Sequence, residues 1–507
     1  MTIGVEKIVE TPRGKLRGMH RHGMDVFRGI RFATARRWAR PEAVKPWAGV
    51  ADATVNGPIA PQTSSRIAQL LGASMEHQGE DCLSLNIWTP ACDDHKRPVM
   101  VWFHGGAFVF GSGSSGIYNG RYLTARSNHV IVTVNYRLGA LGFLNLNDIT
   151  NGRVPATGTE GLSDQLMALQ WVKENIACFG GDPGNVTVFG ESAGAMSIAT
   201  LMSMPASKGL FKRAITQSGA AHVGHPRDRS TRVAARFLRH LGIAPARAEQ
   251  LYDVPANKLM QVQTRIILES RESRDAGHLG RMPFQPCLDD VILTEPPIRA
   301  LRKGAAKNVA LLTGTTAEEW KLFSGLLPHL RAMSKRRLET RARMTFGDLL
   351  ARELLLAHDE GSSFDRFNAM MTHKVFTEPS TRLADAQMAA GAPVHAYRFD
   401  YKSPLLGLGA CHALELGFVF GTHHVSPVNR FFGSGEAVTR LSHLMMDAWA
   451  NFAESGAPQT AETGAWPVLG KGPRKVMRFH PDAALLSDPL PQAARTWALT
   501  DDVILGP

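Results

Sequence analysis

The chain carries the stretch Val186-Thr187-Val188-Phe189-Gly190-Glu191-Ser192-Ala193-Gly194. An apolar, β-branched run ends in Gly-x-Ser-x-Gly, and small residues follow. This is the sequence form of a nucleophile elbow, a strand that turns sharply into a helix with a serine at the apex. Gly190 and Gly194 let the two backbones approach closely, so Ser192 can sit in a strained conformation with its hydroxyl clear of the sheet. The N-terminus of the following helix favours negative charge beside that hydroxyl. Gly-x-Ser-x-Gly alone also fits an ordinary turn, so a functional reading needs partners elsewhere.

The surroundings of the elbow set the fold class. Ala195 to Met202 reads as helix, and upstream Leu162, Leu166, Leu169, Val172 and Ile176 recur at three- and four-residue spacing. Pro98 to Phe103, His129 to Tyr136, Ala214 to Gln217, Val309 to Thr313 and Val394 to Phe399 read as strands, and Val438 to Phe452 as an amphipathic helix. Leu83 to Trp88 alternates like a half-buried strand. Two short strands flank the turn at Thr11-Pro12-Arg13-Gly14, and residues 33–80 are irregular. Alternating strands and helices predict an α/β protein with a mostly parallel sheet. Residues 228–280 and 325–390 turn helical and more charged. No repeat or clear linker divides the chain, so one domain over residues 1–507 with helical insertions is expected.

Composition narrows the class. Hydrophobic residues make up 44% and charged residues 20%, which is ordinary for a folded globular protein. No apolar run reaches the ~18 residues a membrane helix needs, so stable membrane insertion is not expected. Met1 to Glu10 includes Glu6 and no apolar core, unlike a secretory signal. Five cysteines, odd in number and without Cys-x-x-Cys spacing, point to a reducing compartment and to neither a disulfide scaffold nor a zinc site. A cytoplasmic location is expected, with secretion of a processed form as the alternative. The formal charge is +12. Its densest basic run, Lys335-Arg336-Arg337 through Arg341 and Arg343, reads as a solvated helix face, because aromatic residues are not interleaved and no nucleic-acid motif accompanies it. A positive surface modestly favours anionic substrates or membrane surfaces. With no metal cluster or phosphate loop, no cofactor is implied.

A serine hydroxyl needs a base within hydrogen-bond reach, an acid to orient that base, and donors aimed at the oxyanion. The donor loop is His104-Gly105-Gly106-Ala107-Phe108, directly after an apolar strand. Its small residues leave backbone N–H groups unshielded. Gly106 and Ala107 would donate, with Ala193 as third donor. The acid is Glu318 or Glu319, just past a strand. The base is His412, with His395, His423 and His424 as rivals that satisfy the same Ser–acid–His order. His395 falls inside a strand, and His423 and His424 in a polar turn.

Taken together, these motifs resemble the type-B carboxylesterases, the α/β-hydrolase group that includes carboxylesterases, cholinesterases and bacterial p-nitrobenzyl esterases. Phe179 to Gly194 is similar to the family's nucleophile signature and Glu80 to Pro90 to its second signature. Asn135 to Phe143 and Trp449 to Ala453 extend the likeness, which runs from about residue 6 to residue 480. The resemblance implies an α/β-hydrolase fold with a central, mostly parallel sheet flanked by helices and helical cap insertions. It implies Glu319 as the acid in Gly314-Thr-Thr-Ala-Glu318-Glu319-Trp320, and His412 as the base before Glu415 and Phe418-Val-Phe-Gly421. Glu191, Ser218 and Glu415 match the family's buried polar shell.

Departures from the family pattern concern the shape of the site. Trp320 replaces a glycine after the acid, Ser84 a common aromatic residue, and Asp290 the glycine of an Asp-Gly pair. Secreted relatives pair the cysteine matching Cys82 with one upstream; Ala60-Pro61-Gln62 stands there instead, which implies a buried free thiol. Gly72 and the Met75-Glu76-His77-Gln78 stretch occupy the place of the cholinesterases' choline-stacking tryptophan, so cation–π recognition of quaternary ammonium loses its support. The expectation is a serine carboxylesterase acting on a small-molecule ester, short-chain or aromatic, as a monomer or dimer. The alternatives are an amidase or carbamate hydrolase with the same triad, or a non-catalytic binding module. Retention of Ser192, Glu319 and His412 argues against the last.

Overall fold

The structure, a computed structural model, describes residues 4–70, 76–271, 279, 281–325, 327–470, 472–487 and 491–506. Twelve strands follow one another across the main sheet: β1 (Val5–Thr11), β2 (Gly14–Arg21), β3 (Met24–Arg31), β4 (Ser84–Thr89), β5 (Arg97–Phe103), β6 (Val130–Val134), β7 (Gly181–Glu191), β8 (Arg213–Gln217), β9 (Ala310–Thr316), β10 (Val394–Phe399), β11 (Lys475–Phe479) and β12 (Ala484–Ser487). Their spatial order is β1-β2-β3-β4-β6-β5-β7-β8-β9-β10-β11-β12, with the short strand Val50–Asp52 pairing β2 as a thirteenth among the described residues. Every pairing from β6 to β11 is parallel, and both flanks are antiparallel except for Val50–Asp52, which pairs β2 in parallel.

The parallel centre explains why its strands read as continuous apolar runs. Alternate residues of β5 enter two separate cores, one on each face of the sheet. Val99, Val101 and Phe103 join one, and Met100 and Trp102 the other. On β7, Val186 and Val188 face the first core and Phe189 the second. Burying such a side chain contributes about 1.5–3 kcal/mol. Of the helices, α1 (Arg121–Ser127), α2 (Glu160–Asn175) and α3 (Ala193–Ser203) follow β5, β6 and β7. Leu162 of α2 and Ile198 of α3 pack into the first core and Leu123 of α1 into the second.

The two charged, helical segments flank this body. The first holds α4 (Arg227–Leu241) and α5 (Ala256–Glu269). The second holds α6 (Lys335–Phe346), α7 (Asp348–Ala357), α8 (Ser363–Thr372), a π-helical turn at His373–Thr377, and α9 (Glu378–Ala389). The last long helix is α10 (Glu436–Ser455). The stretch 33–80 is less irregular than expected. It contains the short strands Ala33–Thr34, Glu42–Ala43 and Val50–Asp52 and the helix Arg66–Leu70. Runs this short lie below the length at which periodicity separates strand from loop. Gly72 and Met75 lie outside the described residues. Asp290, standing where the family has glycine, adopts a left-handed φ of 59°, and its side chain accepts from Arg227 Nη1 at 2.5 Å. Cys82 is a buried free thiol, and burial pushes it up to about 12. Among the described residues no helix is long and apolar enough to cross a membrane.

Candidate active site

Ser192 stands between β7 and α3 with φ 55° and ψ −125°, a region that costs a non-glycine residue about 1–3 kcal/mol. Glycines on both sides make the turn possible. A Cβ on Gly194 would lie 2.0 Å from the carbonyl oxygen of Phe103, and one on Gly190 2.7 Å from the same atom. The serine N–H donates to Gln217 O at 2.9 Å, its carbonyl accepts from Met196 N–H, and its side chain is partly exposed.

The loop after β5 runs beside the elbow. A Cβ on Gly105 would meet Glu191 Oε2 at 2.6 Å and Ser192 Cβ at 3.0 Å, so only glycine lets this backbone lie against the serine. Gly106, Ala107 and Phe108 have φ values of 114°, 53° and 61°. The strain is held by Val109 and Phe110 N–H donating to Gly106 O, by Gly139 N–H donating to Phe108 O, and by Gln62, which bonds both the N–H and the carbonyl of Gly111. Tyr136 Oη donates to His104 O at 2.7 Å and stacks on the His104 ring. Among the described residues, no acceptor takes the N–H of Gly106, Ala107 or Ala193. Three unclaimed donors beside a serine can receive a developing oxyanion.

The two candidate acids separate cleanly. Glu319 is fully buried just past β9. Its Oε1 accepts from Thr316 N–H at 2.8 Å, and its Oε2 lies 2.7 Å from His412 Nδ1. Glu318 points away, accepting from Ala410 N–H and pairing with Lys321. His412 follows β10 and is clasped by the rings of Phe323 and Phe376 at 5.3 and 4.6 Å. Its rivals lie elsewhere: His395 beside Phe452 and Trp466, His423 on Phe418, His424 on Tyr122. On its other edge, His412 Nε2 is 2.9 Å from Glu191 Oε1. That oxygen accepts no hydrogen bond, so the contact is an ion pair lying off the N–H axis. Burial draws the pKa of His412 down, but Glu191 and Glu319 outweigh it and hold the imidazole well above its ordinary value.

The polar shell continues behind the base. Glu415 Oε1 accepts from Gln217 Nε2 at 3.3 Å, and Gln217 Oε1 accepts from Trp449 Nε1 at 3.0 Å. Burial, together with the Glu191 and Glu319 carboxylates, pushes Glu415 well up, which disfavours a third negative charge beside the base. Ser218 is fully buried at φ 51°, and its N–H donates to Gly314 O at 2.8 Å. Sequence reasoning misses several supports: Gln62, Tyr136, Gln217, Thr316, Phe323 and Phe376. Tyr136 and Gln217 sit inside or beside the recognised motifs, which is the signal that could find them. Phe323 and Phe376 carry no motif, since a lone aromatic residue in a helical segment reads as core.

All these groups gather at the C-terminal ends of adjacent parallel strands: the donor loop after β5, the serine after β7, Glu319 after β9 and His412 after β10. This is where open α/β sheets place ligands. Residues 5–497 match the carboxylesterase family. The chain is 38% identical to the para-nitrobenzyl esterase of Bacillus subtilis (strain 168), over 95% of this chain and 96% of that one. It is 32% identical to the phenmedipham hydrolase of Pseudarthrobacter oxydans, over 91% and 92%. The solved carboxylesterase of Geobacillus stearothermophilus superposes with a TM-score of 0.86 at 37% identity, covering 97% of this chain and 99% of that one.

Proposed function

The chain belongs to the carboxylesterase family and is a serine hydrolase of carboxylic esters; from that premise we propose that Ser192, His412 and Glu319 carry the reaction. The observation that supports this most is His412 held between Glu319 on Nδ1 and the elbow's own Glu191 on Nε2. Ser192 Oγ attacks the ester carbonyl as His412 Nε2 takes its proton. The N–H groups of Gly106, Ala107 and Ala193 bind the oxyanion, and Glu319 keeps the imidazole oriented and stabilises its charged form. The intermediate collapses, and the alcohol leaves with the proton from His412. Water then gives a proton to the same base and attacks the acyl-enzyme. The acid departs as Ser192 regains its proton. Glu191, Ser218 and Glu415 position the base and set the charge around it. A Ser192→Ala protein should lose hydrolysis of p-nitrophenyl butyrate; near wild-type turnover would overturn the assignment.

The helical segments 228–280 and 325–390 form the walls of the site within a single domain. Gln263 of α5 accepts from Ala140 N–H beside the donor loop, and Phe376 of the second segment touches His412. Short-chain or aromatic esters are the proposed substrates. A panel of p-nitrophenyl esters of graded chain length, with p-nitrobenzyl esters, phenmedipham and matched amides, separates this from an amide- or carbamate-directed activity, which would favour the nitrogen-linked members. The buried free Cys82 supports a cytoplasmic location, testable by cell fractionation, and sedimentation distinguishes monomer from dimer.

A further inference from the structure

We propose that the outer face of the α6–α7 hairpin is a docking surface for an anionic lipid bilayer, whichever residues carry the chemistry. The two helices are joined at Gly347 (φ 77°) and turn their inner residues, among them Leu338, Phe346 and Leu354, into a local core. The outer residues of α7 do not follow the usual polar rule. Leu349 is 82% exposed and Leu356 58%, seven residues apart and therefore on one stripe, with exposed Arg352 and Glu353 between them. Met344 of α6 is 68% exposed. The outer stripe of α6 carries Arg336, Arg337 and Arg343.

Exposed basic side chains on one helix beside exposed aliphatic side chains on the next fit a bilayer surface. Arginines meet anionic headgroups while leucines enter the acyl boundary. Residues 335–357 contain six basic and three acidic side chains, and Arg343 spends part of its charge on Asp348 at 3.8 Å. The hairpin as a whole therefore carries net positive charge. Two copies meeting through it would bring like charges together, and a phosphodiester chain has no use for three aliphatic side chains. An anionic bilayer satisfies both components. The placement also bears on turnover. The hairpin's inner residues pack in the same cluster as Phe376, with Phe323 against it, and these are the two rings that clasp His412. Docking here would bring lipid to the far side of the layer that packs against those rings, where apolar esters concentrate.

Cosedimentation of the full chain with vesicles tests this. Vesicles of phosphatidylcholine alone are compared with a phosphatidylcholine–phosphatidylglycerol mixture, at low and raised salt. The wild type is expected in the pellet with the mixed vesicles at low salt only. Each headgroup-facing charge removed should weaken partitioning by about fivefold. Arg336→Glu/Arg337→Glu and Leu349→Ser/Leu356→Ser should each release the protein. Both should keep the thermal midpoint and the turnover of soluble p-nitrophenyl acetate, which separates lost docking from lost folding. A wild type that stays in the supernatant with the mixed vesicles overturns the inference. So does binding that both variants retain, or a Leu349- and Leu356-dependent dimer that ignores vesicles.

Discussion

Glu191, the residue immediately before Ser192, holds Oε1 2.9 Å from Nε2 of His412. The base therefore sits between two carboxylates, because Glu319 is 2.7 Å from its other nitrogen. The consequence is electrostatic. Each carboxylate stabilises the imidazolium, which is the form present when the tetrahedral intermediate has been made.

The pH profile reports this arrangement. A base must be deprotonated to act, and His412 is held well above its ordinary value, so the acid limb of kcat/KM should lie above about pH 6.5. Glu191→Gln removes one carboxylate and should move that limb to lower pH while reducing kcat. A limb that does not move would show that Glu191 exerts no charge on the base.

Glu318 and Glu319 should respond very differently to the same change. Glu319→Gln removes the charge that stabilises the imidazolium and lets an amide N–H face Nδ1, which favours the wrong tautomer, and should cost about 10⁴ in kcat, the magnitude seen when a triad acid becomes an amide. Glu318→Gln should stay within a few-fold, since Glu318 binds Ala410 N–H and Lys321 rather than the base. Steady-state kinetics on p-nitrophenyl acetate reads both.

Gly105 should tolerate no side chain. Its Cβ would fall 3.0 Å from Ser192 Cβ, so Gly105→Ala must push the donor loop off the serine. Losing one well-placed donor costs about 10²–10³ in kcat. The expected result is a loss of this size with KM little changed, and circular dichroism that still shows a folded protein.

The buried pair Arg137–Asp164 tests the scaffold. Asp164 is fully buried and accepts from the Arg137 backbone N–H, Nε and Nη2. Asp164→Ala strands a buried guanidinium and should lower unfolding free energy by about 3–5 kcal/mol, read by urea denaturation.

Much of the fold is legible in the sequence. The apolar runs of β5 to β10 stand out because both faces of a parallel sheet are buried, and their spacing exposes the elbow and the donor loop. Ser192 and Gly105 to Ala107 announce themselves, because only small residues fit there. The choice between Glu318 and Glu319, and among four histidines, is not open to pattern reasoning. Both glutamates follow the same strand, and what separates them is which side chain turns inward. Family resemblance selects Glu319 and His412, and these two lie in contact. The clasp of Phe323 and Phe376 on His412 depends on how residues about fifty apart in the chain fold over one another, which local spacing does not encode.

Everything proposed for the chemistry turns on Ser192 becoming the acylated residue. Reaction of the intact protein with one equivalent of diethyl p-nitrophenyl phosphate, followed by peptide mass spectrometry, reads this at the residue itself. The expected result is a single diethylphosphoryl group on the peptide bearing Ser192, loss of esterase activity in proportion to labelling, and no adduct on Ser192→Ala. Labelling at another residue that abolishes activity while Ser192 stays unmodified would show that the nucleophile lies elsewhere.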